Sequence, residues 1–428
     1  MADTMGIVEQ IDGAQARNSS AATPVLSPER EGQAQALNDW LLGEARAHPC
    51  PESLLGAIGE RFLAAGLPVD RLMVAVSVLH SERSGYGRFW EPGAQVRTEF
   101  FPFGETADAL YERSPFRQAH ETGDWVDLKL DETHDDAFGI IPELKAQGFT
   151  HYICVPVLHP DGSQNGVTFA TKRKGGFGAE DCALLRAVLP ALRVLMEIVS
   201  LRRVLDDVLG LYVGAEPQKR ILKGQIRRGD VVHIRSAILF ADMRGFTSLS
   251  MGMNAGELVE LLNGYYDCIV PRIEAHGGEV LEFIGDGVLA IFRCEGEQCD
   301  GGAGERSACT DAFAAACEAL QAVAARNAGQ PDAAYDVGIA LHYGRAAYGN
   351  IGSGTRLDYT VIGRDVNLAS RIAGLCSTLA HPLLVSKAFR DNLPACQVTS
   401  IGEHTLKGVA DPHEIFMPLG EGMECPEG

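Results

Sequence analysis

Residues 234–247, IRSAILFADMRGFT, and residues 283–292, FIGDGVLAIF, decide the fold of the C-terminal half of this chain. The apolar run at 234–240 predicts a buried strand. In the second stretch a Gly-Asp-Gly turn joins two apolar runs, which is a strong signal for a β-hairpin. We therefore expect a strand at 279–284 and a returning strand at 288–292.

A helix is predicted between these two stretches, over residues 255–275. Apolar residues recur there every three or four positions on one face, and a pair of glycines ends the run. The order strand, helix, hairpin leaves Asp242 at one strand end and Asp286 at the hairpin tip. If the strands are neighbours in one sheet, both carboxylates project from the same edge. Oxygen ligands of this kind are what Mg²⁺ prefers.

The residues after the first strand, Gly245, Phe246 and Thr247, lead toward another helix. Free backbone N–H groups at such a point can hold phosphate oxygens. Taken alone, an aspartate close to a glycine or at a hairpin tip is usually only turn chemistry. The combination of the motifs, in their order, carries the argument.

The strings FADMRGFT, FIGDGVLAIF and, farther on, DYTVIGRDVNLASR at 358–371 resemble the class III adenylyl and guanylyl cyclases in order and spacing. The resemblance covers about residues 231–420. It implies a ferredoxin-like α/β domain that works as a head-to-tail homodimer with active sites at the interface. It also implies GTP or ATP as substrate and two Mg²⁺ or Mn²⁺ ions per active site. The product would be a 3′,5′-cyclic nucleotide and pyrophosphate.

The resemblance assigns Asp242 and Asp286 to the metals and takes Asn367 and Arg371 from the other subunit. On a helix, Asn367 and Arg371 lie one turn apart on the same face. Asn367 would orient the ribose and Arg371 would meet the charge on the transferring phosphate. Lys407, in a shorter and less specific motif, matches a triphosphate-binding lysine. Arg356 either reaches a phosphate or is a solvated surface residue.

Two positions read the purine in this family, and here they hold Glu282 and Thr360. A carboxylate accepts hydrogen bonds, and guanine offers N1–H and N2–H₂ as donors. The Thr360 hydroxyl can donate to guanine O6 or accept from adenine N6. The chemistry of Glu282 favours GTP, and ATP stays the alternative because soluble bacterial-looking members are more often adenylyl cyclases. A silent nucleotide-binding regulator would be expected to lack one of the four catalytic residues, all of which are present.

The N-terminal half has its own pattern. Residues 71–79, 152–158 and 166–171 predict strands, and a long amphipathic helix follows Phe177 and Asp181. A strand with a central proline, an Asp-Gly turn, a returning strand and then Gly-Phe-x-x-x-Asp resemble a GAF-type sensory domain. The alternative is a small α+β domain that serves only dimerisation. As a sensory domain it would respond to a small molecule or to a protein signal, and the sequence does not identify which.

These patterns predict five segments along the chain. Apolar residues spaced by three or four in the linking segment, at Leu201, Leu205, Val208 and Tyr212, fit a helix that pairs with a second subunit or packs on its own domain. The predicted segments are a tail (1–34), a GAF-like regulatory domain (35–200), a coupling helix and linker (201–230), a nucleotide cyclase domain (231–420) and a second tail (421–428).

Composition limits the class of protein. The 428 residues are 46% hydrophobic and 22% charged, with a net charge of -20. Such an acidic chain repels nucleic acid and anionic membranes. Without a leader pattern or a long apolar run, we expect a cytoplasmic protein. Neither the eleven cysteines, Cys294 and Cys299 included, nor the histidines at 134, 151 and 159 are expected to bind metal.

Overall fold

The computed structural model describes residues 26–78, 83–159, 163–294, 303–394 and 397–419. The chain divides into two units, Met1–Val208 and Leu209–Gly428. The predicted tail at 421–428 lies outside the described residues.

The first unit is built on a six-stranded sheet in which every pairing is antiparallel. Its strands are β1 (Arg71–Ser77), β2 (Arg83–Trp90), β3 (Arg97–Pro102), β4 (Val126–Lys129), β5 (His151–Leu158) and β6 (Gln164–Thr171), in the order β3-β2-β1-β6-β5-β4. The three strands predicted from sequence correspond to β1, β5 and β6. The strands β2 to β4 were not predicted.

Helices cover both faces of this sheet. They are α1 (Pro28–Leu42), α2 (Pro51–Ala64), α3 (Glu105–Glu112), α4 (Pro115–Thr122), α5 (Ile141–Ala146) and α6 (Ala179–Val213). Alternate residues of β5 point to opposite faces. Ile153 and Val155 pack with α1, α2 and α6, whereas Tyr152 and Cys154 pack with α4 and α5. Because both faces of β5 are buried, its sequence is a continuous run of apolar residues. The resemblance of the unit to GAF-type sensory domains stays a prediction.

Helix α1 corrects the predicted tail. It begins at Pro28, a residue whose fixed φ suits the first helical position. Arg30 donates to the carbonyl of Ala65 at 2.7 Å and to Asp181 Oδ1 at 3.0 Å. Residues 28–34 are therefore the first two turns of a packed helix. Residues 1–25 of the predicted tail lie outside the described residues.

Helix α6 also differs from the prediction, because one helix of 35 residues includes the start of the predicted coupling segment. It continues through Pro190. Leu201, Leu205 and Tyr212 are 55%, 49% and 81% exposed, so three of the four residues of the apolar stripe do not pack into a core. After Gly214, a short helix α7 (Ala215–Leu222) follows.

The second unit is built on a larger sheet. Its strands are β7 (Val231–Met243), β8 (Glu279–Ile284), β9 (Gly287–Arg293), β10 (Val337–Gly352), β11 (Leu357–Ile362), β12 (Leu383–Ser386), β13 (Val398–His404) and β14 (His413–Pro418). Its helices, after α7, are α8 (Phe246–Ser250), α9 (Ala255–Ala275), α10 (Ala303–Gly329), α11 (Arg364–Leu379) and α12 (Lys387–Arg390).

The topology of this sheet confirms the predicted fold. The strand order is β13-β14-β12-β10-β7-β9-β8, and β11 pairs with β10. The segment β7-α9-β8-β9-α10-β10 therefore has the β-α-β-β-α-β order of ferredoxin-like domains, with its four strands arranged 4-1-3-2. Helix α9 has the predicted bounds, and a capping box of Asn254 and Glu257 fixes its start.

Strand β7 is central because both of its faces are buried. Ala237, Leu239 and Ala241 pack with α9 and α10. Ile238, on the opposite face, packs with Val366 of α11. The sheet thus has α9 and α10 on one side and α11 on the other, and residues at the carboxyl end of β7 reach one edge of this layer.

Candidate active site

The carboxyl end of β7 and the tip of the β8–β9 hairpin meet at one edge of the sheet. Strands β7 and β9 are antiparallel, with Ala241 opposite Val288. The residue after Ala241 is Asp242, and the hairpin tip before Val288 carries Asp286. Gly285 has a φ of 65°, a left-handed conformation that glycine adopts at little cost. The predicted approach of the two aspartates is therefore present in the structure.

The two carboxyl groups contact each other. Partial burial, together with the hydrogen bond and the charge of Asp286, raises the pKa of Asp242 from 3.8 to about 7. Two carboxylates this close repel unless a proton or a cation lies between them. This arrangement fits a divalent metal, whose charge would take the place of the shared proton.

The number of protein ligands also fits magnesium. Among the described residues, no group of three or more histidine, cysteine, aspartate or glutamate side chains is placed to hold a metal ion. Mg²⁺ commonly takes only one or two protein carboxylates and fills its other positions with water and substrate phosphates. Asp242 and Asp286 provide that pair.

Tyr266 is a site residue that the sequence analysis missed. Its hydroxyl donates to the carbonyl of Gly285 at 2.6 Å, and its ring lies 4.5 Å from that of Phe283. These contacts hold the hairpin tip that carries Asp286. The sequence places Tyr266 within the predicted helix 255–275, but a position on a helix does not show which hairpin the residue contacts.

The two predicted base-reading residues lie together although 78 positions separate them. Thr360 Oγ1 donates to Glu282 Oε2 at 3.4 Å, which joins β11 to β8. Glu282 is exposed and Thr360 is partly buried. The structure therefore places both polar groups on one surface, and Glu282 precedes Asp286 by four residues on the same hairpin.

Asn367 and Arg371 lie on α11 as predicted, one turn apart and both exposed. The start of α11 is anchored by Asp365, whose Oδ2 accepts from the backbone N–H of Arg345 at 2.7 Å. The buried His342 lies behind it, with Nε2 3.8 Å from Asp365. The nearby His342 ring lowers the pKa of Asp365. The sequence analysis did not identify His342.

The remaining predicted phosphate ligands lie in exposed loops or at the start of the short helix α8. Arg356 precedes β11 with its side chain 86% exposed, 4.0 Å from Asp358. Lys407 is exposed in a turn after β13, next to the buried Leu406. Gly245 has a left-handed φ of 69° and precedes α8, a helix of only five residues. The first-turn N–H groups of Phe246 and Thr247 have no carbonyl partner within that helix.

A family model for the adenylate and guanylate cyclase catalytic domain matches residues 232–417. This part of the chain is a class III nucleotide cyclase domain. The fold and the paired aspartates described above lie within the matched residues.

Relatives match the cyclase domain at moderate identity. An adenylate cyclase of Anabaena cylindrica is 34% identical over 168 residues, which are 37% of this chain and 31% of that protein. An uncharacterized protein of Mycobacterium tuberculosis is 32% identical over 225 residues, covering 50% of this chain and 36% of its own. The chain thus spans about a third of the length of these curated relatives.

Solved structures of cyclases are also similar. The guanylyl cyclase Cya2 is 30% identical, with a TM-score of 0.38, covering 46% of this chain and 98% of its own. The adenylyl cyclase CyaB from P. aeruginosa is 25% identical, with a TM-score of 0.40, covering 45% and 97%.

The histidines singled out from sequence belong to the first unit. His151 is buried, and both of its ring nitrogens are hydrogen-bonded, to Asp127 and to the N–H of Phe177. His134 is exposed and 3.5 Å from Asp136, and His159 contacts Asn165 at 2.7 Å. Cys299 lies outside the described residues. Within the described parts of the chain, the helices are too short or too polar to cross a bilayer.

Proposed function

We propose that this protein is a homodimeric purine-nucleotide cyclase that converts GTP, or alternatively ATP, to a 3′,5′-cyclic nucleotide and pyrophosphate. The observation that carries this proposal is the contact of Asp242 with Asp286 at one sheet edge of a class III cyclase domain. A partly buried carboxyl group whose pKa is strongly raised beside a second carboxylate is typical of a functional site.

The chain needs no nucleophile of its own. The ribose 3′-oxygen of the substrate forms a bond to the α-phosphorus, and the bond from that phosphorus to the β-phosphate bridge oxygen breaks. Pyrophosphate leaves, and the proton of the 3′-hydroxyl is lost to solvent or to the substrate phosphates. Two Mg²⁺ or Mn²⁺ ions held by Asp242 and Asp286 would supply positive charge at the attacking and leaving oxygens.

The protein contributes position and charge to this reaction. Asn367 orients the ribose, and Arg371 stabilises the charge on the transferring phosphate. Lys407, Arg356 and the N–H groups of residues 245–247 bind the triphosphate. Removing a well-placed donor such as Arg371 is expected to lower the rate by about 10²–10³.

The exposed surface around the base-reading pair supports a dimer. Phe283 and Ile284 are 52% and 48% exposed beside Glu282, and Ile362 is 50% exposed two residues after Thr360. Large apolar side chains grouped at a site commonly mark an interaction surface. A second copy of the cyclase domain would cover them and bring its own Asn367 and Arg371 to this site.

Glu282 supports GTP as the substrate. Its carboxylate accepts the hydroxyl of Thr360 and has further lone pairs for the N1–H and N2–H₂ groups of guanine. Adenine N1 is an unprotonated acceptor and would meet this carboxylate unfavourably. A site that hydrogen-bonds its substrate can discriminate by about 10⁴–10⁵.

The test offers GTP and ATP separately to the purified full chain, with Mg²⁺ and with Mn²⁺, and measures both cyclic nucleotides. A Glu282→Lys variant is run in parallel. Cyclic GMP from the parent and a shift toward cyclic AMP in the variant would support the proposal. Cyclic AMP from the parent would show that the argument from Glu282 is wrong but leave the cyclase intact. Absence of both products under all four conditions would contradict the proposed activity.

A further inference from the structure

A cavity of about 50 Å³ lies inside the first unit, between the sheet and two helices. It is lined by Val74 and Val167 from the sheet, Leu55 and Ile58 from α2, and Leu195 and Met196 from α6. A water-sized group needs about 10–15 Å³ of such space, so roughly four methylene-sized groups fit. Walls of this composition favour hydrocarbon over water.

One charged side chain enters this apolar lining. Arg88, on β2, is 8% exposed. Its Nε donates to Glu52 Oε1 at 2.7 Å, and its guanidinium lies 4.1 Å from the ring centre of Tyr86. Glu52 is 39% exposed, so the counter-ion of Arg88 lies toward solvent. The bond to Glu52 uses one of the five N–H donors of the guanidinium.

We propose that this cavity binds a small carboxylate with a short hydrocarbon chain. The chain fills the apolar space, and the carboxylate takes the terminal nitrogens of Arg88. The planar guanidinium matches a carboxylate in a bidentate geometry, and such charge-assisted bonds are strong where water is excluded. A neutral apolar molecule would leave these donors unused.

The position of the cavity gives the ligand a direct contact with α6. Leu192, Leu195, Met196, Val199 and Ser200 all line it, and the same helix runs on to Val213. A bound ligand would therefore pack against the helix that links the two units in the chain. Any effect on nucleotide turnover rests on the proposed function, whereas binding does not, so a binding measurement separates the two.

The experiment titrates the full chain with a series from propanoate to octanoate, and with hexanol, by isothermal titration calorimetry. The affinity is expected to rise about fourfold for each methylene (~0.8 kcal/mol) until the cavity is full, and then to level off. Arg88→Gln is expected to weaken hexanoate binding by about tenfold or more, the loss of a hydrogen bond to a charged group. The same substitution should leave hexanol binding unchanged.

Two further variants sharpen the test. Glu52→Gln removes the competing carboxylate and is expected to tighten hexanoate but not hexanol. Val74→Phe fills the cavity and should abolish binding of both, with Met196→Phe as its replacement if circular dichroism shows that Val74→Phe is unfolded. Arg97→Gln, an exposed arginine on the neighbouring strand, is the matched control and should bind as the parent does. Equal hexanoate affinity of the parent and Arg88→Gln, or no gain with chain length, would overturn the proposal.

Discussion

Between about pH 4 and pH 7, the charge of Asp242 in the folded protein differs from its charge in the unfolded chain. Burial and the contact with Asp286 raise its pKa from 3.8 to about 7. The folded state therefore binds more protons than the unfolded state between these two values. The contribution of Asp242 to the free energy of unfolding is therefore complete below about pH 4, and it is lost as the pH rises to about 7.

Asp242→Asn should remove this pH dependence. In metal-free buffer with EDTA, the free energy of unfolding of the parent is expected to fall more steeply from pH 5 to pH 7 than that of the variant. Urea unfolding at pH 5, 6, 7 and 8 measures both. Addition of Mg²⁺ should then stabilise the parent but not the variant, because only the parent keeps both ligands. Asp358→Asn, at an exposed aspartate in the same unit, is the control. Parallel pH profiles for parent and Asp242→Asn would contradict the described contact.

The site residues divide by the kind of signal that marks them. Asp242, Asp286 and Glu282 follow or precede glycines and apolar strands at fixed spacings, so local sequence predicts where they lie. Tyr266 and His342 act through contacts with residues 19 and 23 positions away, Gly285 and Asp365. No local pattern encodes such contacts, and the sequence analysis missed both residues.

The hairpin that carries Asp286 depends on one hydrogen bond from α9. Tyr266→Phe removes the donor to the Gly285 carbonyl and keeps the ring packing on Phe283. A bond of this kind contributes about 1 kcal/mol, so we expect a loss of roughly fivefold in turnover. The concentration of Mg²⁺ needed for half-maximal rate should rise as well, since the metal ligand is held less firmly. Initial rates over a Mg²⁺ series measure both effects.

Tyr335→Phe is the matched control for this substitution. The Tyr335 hydroxyl also donates to a glycine carbonyl, that of Gly264, at 3.2 Å, but it does so away from the hairpin tip. It should change the thermal stability without changing the Mg²⁺ requirement. A shift of the Mg²⁺ requirement of equal size in both variants would show that the Tyr266 bond has no special role.

An ion cluster around the buried carboxylate of Asp181 joins elements of the first unit. Asp181, at the start of α6, is 4% exposed and binds Arg30 of α1, Arg173 and the N–H of Gly178. Asp181→Asn leaves two arginines without their buried counter-charge. It is expected to lower the free energy of unfolding of this unit by about 3 kcal/mol. Urea unfolding of the full chain should show the loss in the transition of this unit. Asp135→Asn, at an exposed pair with Lys145, should leave that transition where it is.

Elements in which apolar residues recur at a regular spacing were predictable, and elements or ends of elements that depend on distant contacts were not. The apolar spacing and flanking glycines of α9 predict its bounds. Strands β2 and β3 have mixed composition, with exposed residues throughout β3, so no alternation marks them. The apolar spacing of Leu37, Trp40 and Leu41 indicates the later turns of helix α1, but its start at Pro28 depends on the contacts of Arg30 with residues far along the chain.

At the scale of the whole molecule, the first unit is proposed to regulate the cyclase domain. Two observations support this proposal: the order of the domains along the chain, and helix α6, which continues across the boundary between the two units. A chain that begins at Arg227 lacks this unit, together with residues 209–226 of the second unit, and should lose the response to any ligand of the first unit. The measurement compares turnover with and without hexanoate in both proteins. Equal turnover and an equal response in the shortened chain would count against regulation.

The complete active site is also a property of the whole molecule. In the proposed dimer, one subunit contributes Asp242 and Asp286 and the other contributes Asn367 and Arg371. Asp242→Asn and Arg371→Ala are each expected to be nearly inactive as homodimers. Co-expression with two different affinity tags, and purification through both, selects mixed dimers. In a two-fold dimer the mixed species has one intact site and one doubly damaged site, so about half of the parent turnover per dimer is expected. An inactive mixed dimer would show that each subunit uses its own residues. Failure to recover a mixed dimer, when tagged parent subunits do pair, would contradict the shared interface.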